Sequence, residues 1–404
     1  MGAADGRYEA EVAVVGGGPA GLTAAVALAS AGVPTALVAR PARGDNRTTA
    51  LLAGSVSALQ ALNVWTACAG EAAPLRTMRI VDDTDRLWRA PEVRFEAAEI
   101  GLEAFGWNIE NRHLVAALQA RADGIAQLLR IDDEARAVAI ADDDVTVTLA
   151  GGGTLNAKLV VAADGRRSVC RAAAGIATES RSYPQTALTF SLGHARPHRD
   201  ISTEFHTAQG PFTLVPLRGE RSSLVCVVAP EDAERIERLD PAGLNIELER
   251  RAHSILGKVA AEPHHGIFRL GVETARHFAA RRVALVGEAG HVIPPIGAQG
   301  LNLGLRDAAI VGELVVAARR DGADVGGARL TDDYDRRRRA DVRSRAAAVD
   351  LLNRTLLTDF LPAQSARGLG LYVLDRIGPL RRAMMREGIA PRLAEPRLMR
   401  GEAL

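Results

Sequence analysis

Between Val12 and Val33 the chain carries no charged side chain, yet glycines at 16, 17, 18, 21 and 32 and a proline at 19 interrupt the run. An uncharged span of that length invites reading as a membrane helix, but the interruptions divide it into short pieces. Glu11–Val15 is apolar and β-branched, Leu22–Ser30 is alanine-rich and favours helix until Gly32, and Thr35–Ala39 returns to strand character. Strand, GxGxxG, helix and second strand make a βαβ unit, and that context gives the motif its meaning. Gly16 permits the tight turn, Gly18 lets the backbone approach a pyrophosphate, and Gly21 lets the helix pack closely, with the helix N-terminus drawing the negative charge. A secretory leader is not expected, because the first residues are acidic and mixed and its removal would take the motif with it.

One customary element is missing. Dinucleotide sites usually end the second strand with Asp or Glu for the ribose hydroxyls, and here Ala39 and Arg40 stand in that place. The ribose must be held otherwise. Of Arg40, Arg43 and Arg47 in the next segment, Arg47, read as lying at a helix start in DNRTTALL, is the expected cofactor contact.

Composition narrows the classes further. With 404 residues, 47% of them hydrophobic and 25% charged, the chain is long enough for two intertwined domains and too apolar for disorder. The 50 basic and 49 acidic residues are mixed along it, leaving a formal charge of +1 and no global field for nucleic acid. Cys68, Cys170 and Cys226 stand far apart without metal-type spacing, as suits a reducing cytosol. His264 and His265 are adjacent and so point apart on any regular element, and HExxH and paired CxxC are absent, so no metal site is expected.

Two further glycine turns complete the pattern. LVVAADGRRS at Leu159–Ser168 is an apolar strand followed by Asp164, which can accept a hydrogen bond, and Gly165, which lets the backbone come close. GEAGHVIPPIGAQGLNLGLRDAA at Gly287–Ala309 follows the apolar stretch Arg282–Val286 and leads into a helix from Leu301. Its carboxylate, Glu288, and its helix N-terminus suit hydroxyls and an anionic ring.

These three anchors in this order resemble the single-component FAD-dependent aromatic hydroxylases, the group with the para-hydroxybenzoate hydroxylase fold. The chain is most similar to their ubiquinone-biosynthesis branch, through ENRHL at Glu110–Leu114, GPFTLVPL at Gly210–Leu217, RVALVGEAGH at Arg282–His291, LNRTLLTDF at Leu352–Phe360 and the final RLMRGEAL. The resemblance implies bound FAD. Gly16, Gly18 and Gly21 would hold its ADP half, Arg47 and Arg112 would brace it, and Asp164 with Gly165 would sit by the pyrophosphate. Glu288 would meet the ribityl chain, and Pro295, Gly297, Gly300, Leu301 and Asn302 would line the isoalloxazine. Pro295 and His291 are the candidates at the flavin face, His291 more as support for the loop than as a catalyst, because the cofactor supplies the chemistry. The commoner family form has Asp at 288, Ala at 290, His at 294 and Ala-Gly at 297–298; Glu288, Gly290, Pro294 and Gly297-Ala298 read as a subfamily dialect.

Gln185–Ala229 alternates like a sheet, with Gly and Pro at the joints. In the family this sheet covers the flavin and forms the substrate cavity. Phe190, Phe205, Phe212 and Leu214 are candidates to line it, although core burial is the commoner fate of such residues. From about Thr331 the pattern is helical with basic patches: Arg336–Arg339, then Arg376, Arg381, Arg382 and Arg386 beside Leu371, Leu374, Ile377, Leu380 and Met384. Two readings stay open, docking on an anionic membrane surface or on partner enzymes, and packing on the main body with solvated arginines. The expected architecture is mixed α/β. A Rossmann-like FAD-binding domain (1–75, 101–180 and 276–345) is interleaved with an antiparallel or mixed β-sheet substrate domain (76–100 and 181–275), and a helical region (346–404) completes the chain.

The activity implied by the resemblance is that of a monooxygenase. NAD(P)H reduces FAD, and oxygen from O2 passes through a flavin C4a-hydroperoxide to the aromatic ring of a polyprenylated phenol in ubiquinone biosynthesis. No second GxGxxG βαβ unit is visible, so NAD(P)H is expected as a transient co-substrate, with NADH and NADPH both open. The alternatives are a hydroxylase of another aromatic, a prenyl reductase of the same fold and a non-catalytic prenyl-binding protein; Asp164, Pro295, Gly300 and Asn302 speak against the last. The expected location is the cytoplasm or the periphery of the inner membrane.

Overall fold

The apolar strand Val12–Val15 lies inside a six-stranded sheet in the computed structural model, which describes residues 6–41, 44–84, 91–357, 378–389 and 395–404. Thr35–Val38 and Leu159–Ala162 flank it in parallel, and Leu128–Ile131 and Val283–Leu285 extend the sheet on either side. Parallel strands covered on both faces must be apolar throughout rather than alternating, and the inner strands Val12–Val15 and Leu159–Ala162 are apolar and buried at every residue. Val12 and Val14 point into a helical layer, where Pro19–Ser30 packs against Gln299–Arg320 and Asn111–Asp123. Ala13 and Val15 point the other way, into a four-stranded sheet of Arg7–Glu9, Thr154–Ala157, Val145–Leu149 and Ala135–Ile140.

The alternating segment folds into an eight-stranded, mostly antiparallel sheet. Its order is His291–Val292, Val259–Ala275, Thr178–His194, Arg221–Val228, Pro211–Leu217, Ile201–His206, Thr77–Asp82 and Val93–Glu96. One face packs under the helices Pro230–Glu237 and Pro241–Arg251, and Phe190, Phe205, Phe212 and Leu214 all belong to that core. They line no cavity toward the first sheet, because strand alternation gives the opposite face, with Ala187, Thr189, Ser223, Val225 and Val227, to the rest of the molecule. On that face Asn108 Nδ2 donates to Ser223 Oγ at 3.0 Å and to the Pro216 carbonyl at 2.9 Å. Arg221 pairs with Glu110 at 3.2 Å, so charge as well as packing joins this sheet to the strand Gly106–Glu110, which lies in a separate three-stranded sheet with Thr48–Leu52 and Ala73–Pro74.

Two more helices, Ala328–Leu357 and Gly378–Ile389, carry the basic patches. The run Arg336–Arg339 is not a uniformly solvated face, since Arg338 is wholly buried. In the second helix Arg381 pairs with Glu99 at 2.8 Å and lies 4.7 Å over the Phe95 ring, and Met385 is buried with Ala97 and Phe105. This part of the basic pattern packs on the main body. Arg43, Leu371, Leu374, Arg376 and Ile377 lie outside the described residues, as do the side chains of Leu380 and Met384. No helix among the described residues is long and apolar enough to cross a membrane.

Candidate cofactor-binding site

The first glycine turn is shaped by contacts that no side chain could share. Gly16 has φ +117°, and a Cβ there would lie 2.1 Å from the Ala163 carbonyl oxygen; one at Gly21 would lie 2.1 Å from the Gly16 carbonyl oxygen. At Gly18 a Cβ would meet nothing within 4 Å. Two of the glycines therefore set the turn, and the third leaves bare backbone facing open space. The helix Pro19–Ser30 starts there without a side-chain cap, with Pro in its first turn, so the first N–H groups remain for a ligand.

That space is a cavity of about 560 Å³ whose lining includes Gly16, Gly18, Arg47, Arg112 and Asp164. Arg47 grips Asp45 with two hydrogen bonds, at 2.9 and 2.8 Å, and Asn111 Nδ2 donates to the same carboxylate at 2.9 Å. Burial pushes the Asp45 carboxyl up, but the bonds from Arg47 and Asn111 outweigh it and hold the group below its ordinary value. The segment is not a helix start: Arg47 precedes the strand Thr48–Leu52, whose β-branched threonines pair antiparallel with Gly106–Glu110. Arg112, in the first turn of Asn111–Asp123, donates to Glu110 at 2.9 Å. Burial raises the Glu110 carboxyl, and Arg221 and Arg112 bring it below its usual value. Asp164 lines the cavity but is engaged by its own turn, accepting from Ser168 Oγ at 2.6 Å and from the Cys170 N–H at 3.2 Å. Gly165, beside it, has φ +79° with open space around it.

The second grip is built differently. Gly287 sits at φ +63° against Ala20, which brings the Gly287–Ala289 turn up to the start of the first helix. Glu288 is exposed and makes no hydrogen bond among the described residues, and its charge acts favourably on Arg47. Pro295 is exposed, and Gly297 and Ala298 follow one another in the left-handed region, at φ +66° and +55°. Gly300 faces open space, Leu301 is partly buried, and Gln299–Arg320 begins here. Asn302, expected to line a ring, spends its whole side chain inside the protein. Its Oδ1 accepts from the Leu52 N–H at 2.9 Å and Ser55 Oγ at 2.7 Å, and its Nδ2 donates to the Ala50 and Ala298 carbonyls at 2.8 and 2.6 Å. Pro295, Gly297, Gly300, Leu301 and Asn302 do not line the 560 Å³ cavity. They lie by the Leu52 end of the strand that Arg47 precedes, about 17 Å away at the usual rise per residue.

A buried charge network that the sequence gives no direct sign of supports this loop. Asp307 and Arg338 are both fully buried and meet at 2.6 Å; His291 Nε2 bonds Asp307 at 2.8 Å, and the Gly287 N–H donates to Asp307 at 2.8 Å. His291 is thereby turned to the network, and its Nδ1 is buried without a partner among the described residues. Tyr334, one turn before Arg338, donates to the Leu285 carbonyl at 2.6 Å. The one indirect signal is an apolar stripe, Leu330 and Tyr334, whose next four-residue step lands on Arg338.

The arginines, the bare backbone at Gly18 and the free helix N-terminus fit a pyrophosphate-bearing cofactor. Comparison with known proteins agrees with the geometry. The family model described as FAD binding domain matches residues 9–348. The chain is 36% identical over 408 residues to the ubiquinone hydroxylase UbiL of Rhodospirillum rubrum, covering 98% of this chain and 94% of that one. It is 31% identical over 386 residues to the 3-demethoxyubiquinol 3-hydroxylase of Escherichia coli, covering 93% and 97%. Among solved structures, p-nitrophenol 4-monooxygenase PnpA of Pseudomonas putida shares the fold with a TM-score of 0.76 at 21% identity, over 94% of this chain and 96% of that one.

Proposed function

The chain belongs to the FAD-binding domain family of flavin-dependent monooxygenases, and we propose that it hydroxylates the aromatic ring of a polyprenylated phenol in ubiquinone biosynthesis. The observation that carries this reading is the near end-to-end match to two ubiquinone-ring hydroxylases. FAD, when bound, supplies the redox and oxygen-transfer chemistry, with NAD(P)H and O2 as co-substrates.

The chain's own part is to bind, orient and exclude water. Gly16 to Gly18 and the N-terminus of Pro19–Ser30 take the pyrophosphate, Gly21 keeps that helix close, and Arg47 and Arg112 offset the charge. Asp164 and Gly165 close the phosphate side, and Glu288 takes ribityl hydroxyls. Pro295, Gly297, Gly300 and Leu301 offer backbone and surface to the ring, and Asn302 and His291 position that loop. The face of the eight-stranded sheet with Ala187, Thr189, Val225 and Val227 covers the substrate, so 76–100 and 181–275 act as the substrate part and 1–75, 101–180 and 276–345 as the cofactor part. An apolar, closed site matters because water would divert the oxidant. Partner enzymes or a membrane surface would meet the basic helices at Arg382 and Arg386.

The test is deletion of the gene followed by mass spectrometry of the quinone intermediates. Accumulation of a polyprenylated phenol lacking one ring hydroxyl, restored by the intact gene, is the expected result. An unchanged quinone pool, or purified protein that takes up no FAD, overturns the reading.

A further inference from the structure

The second strand of the six-stranded sheet, Thr35–Val38, ends at Ala39 and Arg40, where a ribose-binding carboxylate would ordinarily stand. Its neighbour on the outer side is Leu128–Ile131, parallel to it with Val38 opposite Ile131, and the Ala39 N–H donates to the Ile131 carbonyl at 3.1 Å. Both strands therefore deliver their next residues to the same carboxyl edge of the sheet. After Ile131 the chain continues with Asp132, Asp133 and Glu134. Asp133 and Glu134 line the 560 Å³ cavity together with Val38, Ala39, Arg40 and Gly16 to Gly18.

The two acids differ in what they have left to offer. Asp133 uses both oxygens on the backbone: Oδ1 accepts from the Glu134 N–H at 2.7 Å and Oδ2 from the Gly151 N–H at 3.0 Å. The Ala150 N–H donates to the Glu134 carbonyl at 2.8 Å, so the turn is clasped to the hairpin beside it. Glu134 projects from that clasp. One of its oxygens pairs with Arg40, and the other has no partner among the described residues. Neighbouring strands are about 4.8 Å apart, a distance that the extra methylene of Glu and the extended loop offset in part.

We propose that Glu134, delivered by the adjacent strand and held by Arg40 and the Asp133 clasp, is the acid that binds the adenosine ribose hydroxyls of FAD in place of the missing one at position 39. The assignment rests on the proposal that the chain binds FAD. Arg40, which lines the same cavity, has the complementary task of holding Glu134 in place, so its removal acts through Glu134.

The test is titration of apoprotein with FAD and with its 2′-deoxyadenosine analogue, read by quenching of flavin fluorescence. A hydroxyl bonded to a carboxylate contributes on the order of tenfold to a hundredfold in affinity. Wild-type protein should prefer FAD over the analogue by about that factor. Glu134→Gln should bind FAD at least about tenfold more weakly and lose most of the preference, whereas Asp132→Asn, at an exposed site outside the cavity lining, should behave as wild type. Glu134 is exposed, so its variants should fold normally. A Glu134→Gln protein that keeps the full preference overturns the assignment alone. Failure of the wild-type protein to bind FAD overturns this assignment together with the cofactor reading.

Discussion

Breaking the Arg338–Asp307 pair should cost far more than the pair contributes, and the Gly287–Ala289 turn that Asp307 holds should register the loss. Both side chains are fully buried and meet at 2.6 Å. At that distance and an effective dielectric of 20, their attraction is roughly 6 kcal/mol, most of it offset by the cost of desolvating two ions. Arg338→Met leaves a buried Asp307 with only His291 and the Gly287 N–H, and should destabilise the protein by about 3–5 kcal/mol. Asp307→Asn keeps the shape but leaves Arg338 on Asp341 alone, with a similar penalty. The double variant buries neither charge, so it should fall short of the summed single losses by about 2 kcal/mol or more. Urea unfolding of the apoprotein reads this through Trp65 and Trp107, packed edge-on at 5.8 Å in the same half of the molecule. Each single variant should also weaken FAD binding, because Asp307, to which the Gly287 N–H donates, loses either its charge or its buried counter-ion. The pH dependence has a definite sign. Burial raises the Asp307 carboxyl, but Arg338 and His291 outweigh it and hold the group below its ordinary 3.8. Its contribution is therefore complete above the unfolded value of about 3.9 and is lost as pH falls through the lower folded value. Asp341, lowered to about 2, keeps its share until pH falls toward that value. Single variants within about 1 kcal/mol of wild type, below any buried-pair penalty, or a double variant as unstable as the summed singles, would refute the reasoning.

The glycines of the first turn should separate by role. Gly16→Ala, with φ +117° and a 2.1 Å clash, should leave little folded protein in an expression and solubility assay. Gly18→Ala should unfold at the same urea concentration as wild type while its FAD dissociation constant rises tenfold or more, because the added methyl meets only the ligand. Ala298→Gly relieves a left-handed alanine at φ +55° and should stabilise by up to about 1 kcal/mol, seen as a higher urea midpoint. Glu110→Gln loosens Arg112 and Arg221 together and should cost about 1–3 kcal/mol, with FAD held several-fold more weakly in a fluorescence titration; unchanged affinity would mean that Arg112 does not act on the cofactor.

What could be read from the sequence was whatever a residue does through its own backbone. Gly16 and Gly21 were legible as turn and packing positions because only the absence of Cβ explains them, and the contacts at 2.1 Å are that absence. The strand–helix–strand order and the alternation of Gln185–Ala229 were legible for the same local reason. Arg47 was not. DNRT looks like a helix start, yet Thr48 and Thr49 find partners in Glu110 and Ile109, sixty or more residues on, and tertiary pairing overrides local preference. Arg338 was hidden among four arginines of equal local standing, since burial at 338 depends on Asp307 across the fold. The partners of the Asn302 amide, backbone and a hydroxyl some 250 residues away, are equally out of reach of a local pattern. The case of Glu134 turns this contrast into a rule. An acid missing after one strand looks like a lost function until sheet order puts the neighbouring strand's acid at the same edge, and strand order is a long-range property that no local pattern carries. A motif with one expected residue missing should therefore be judged against the sheet before it is judged defective.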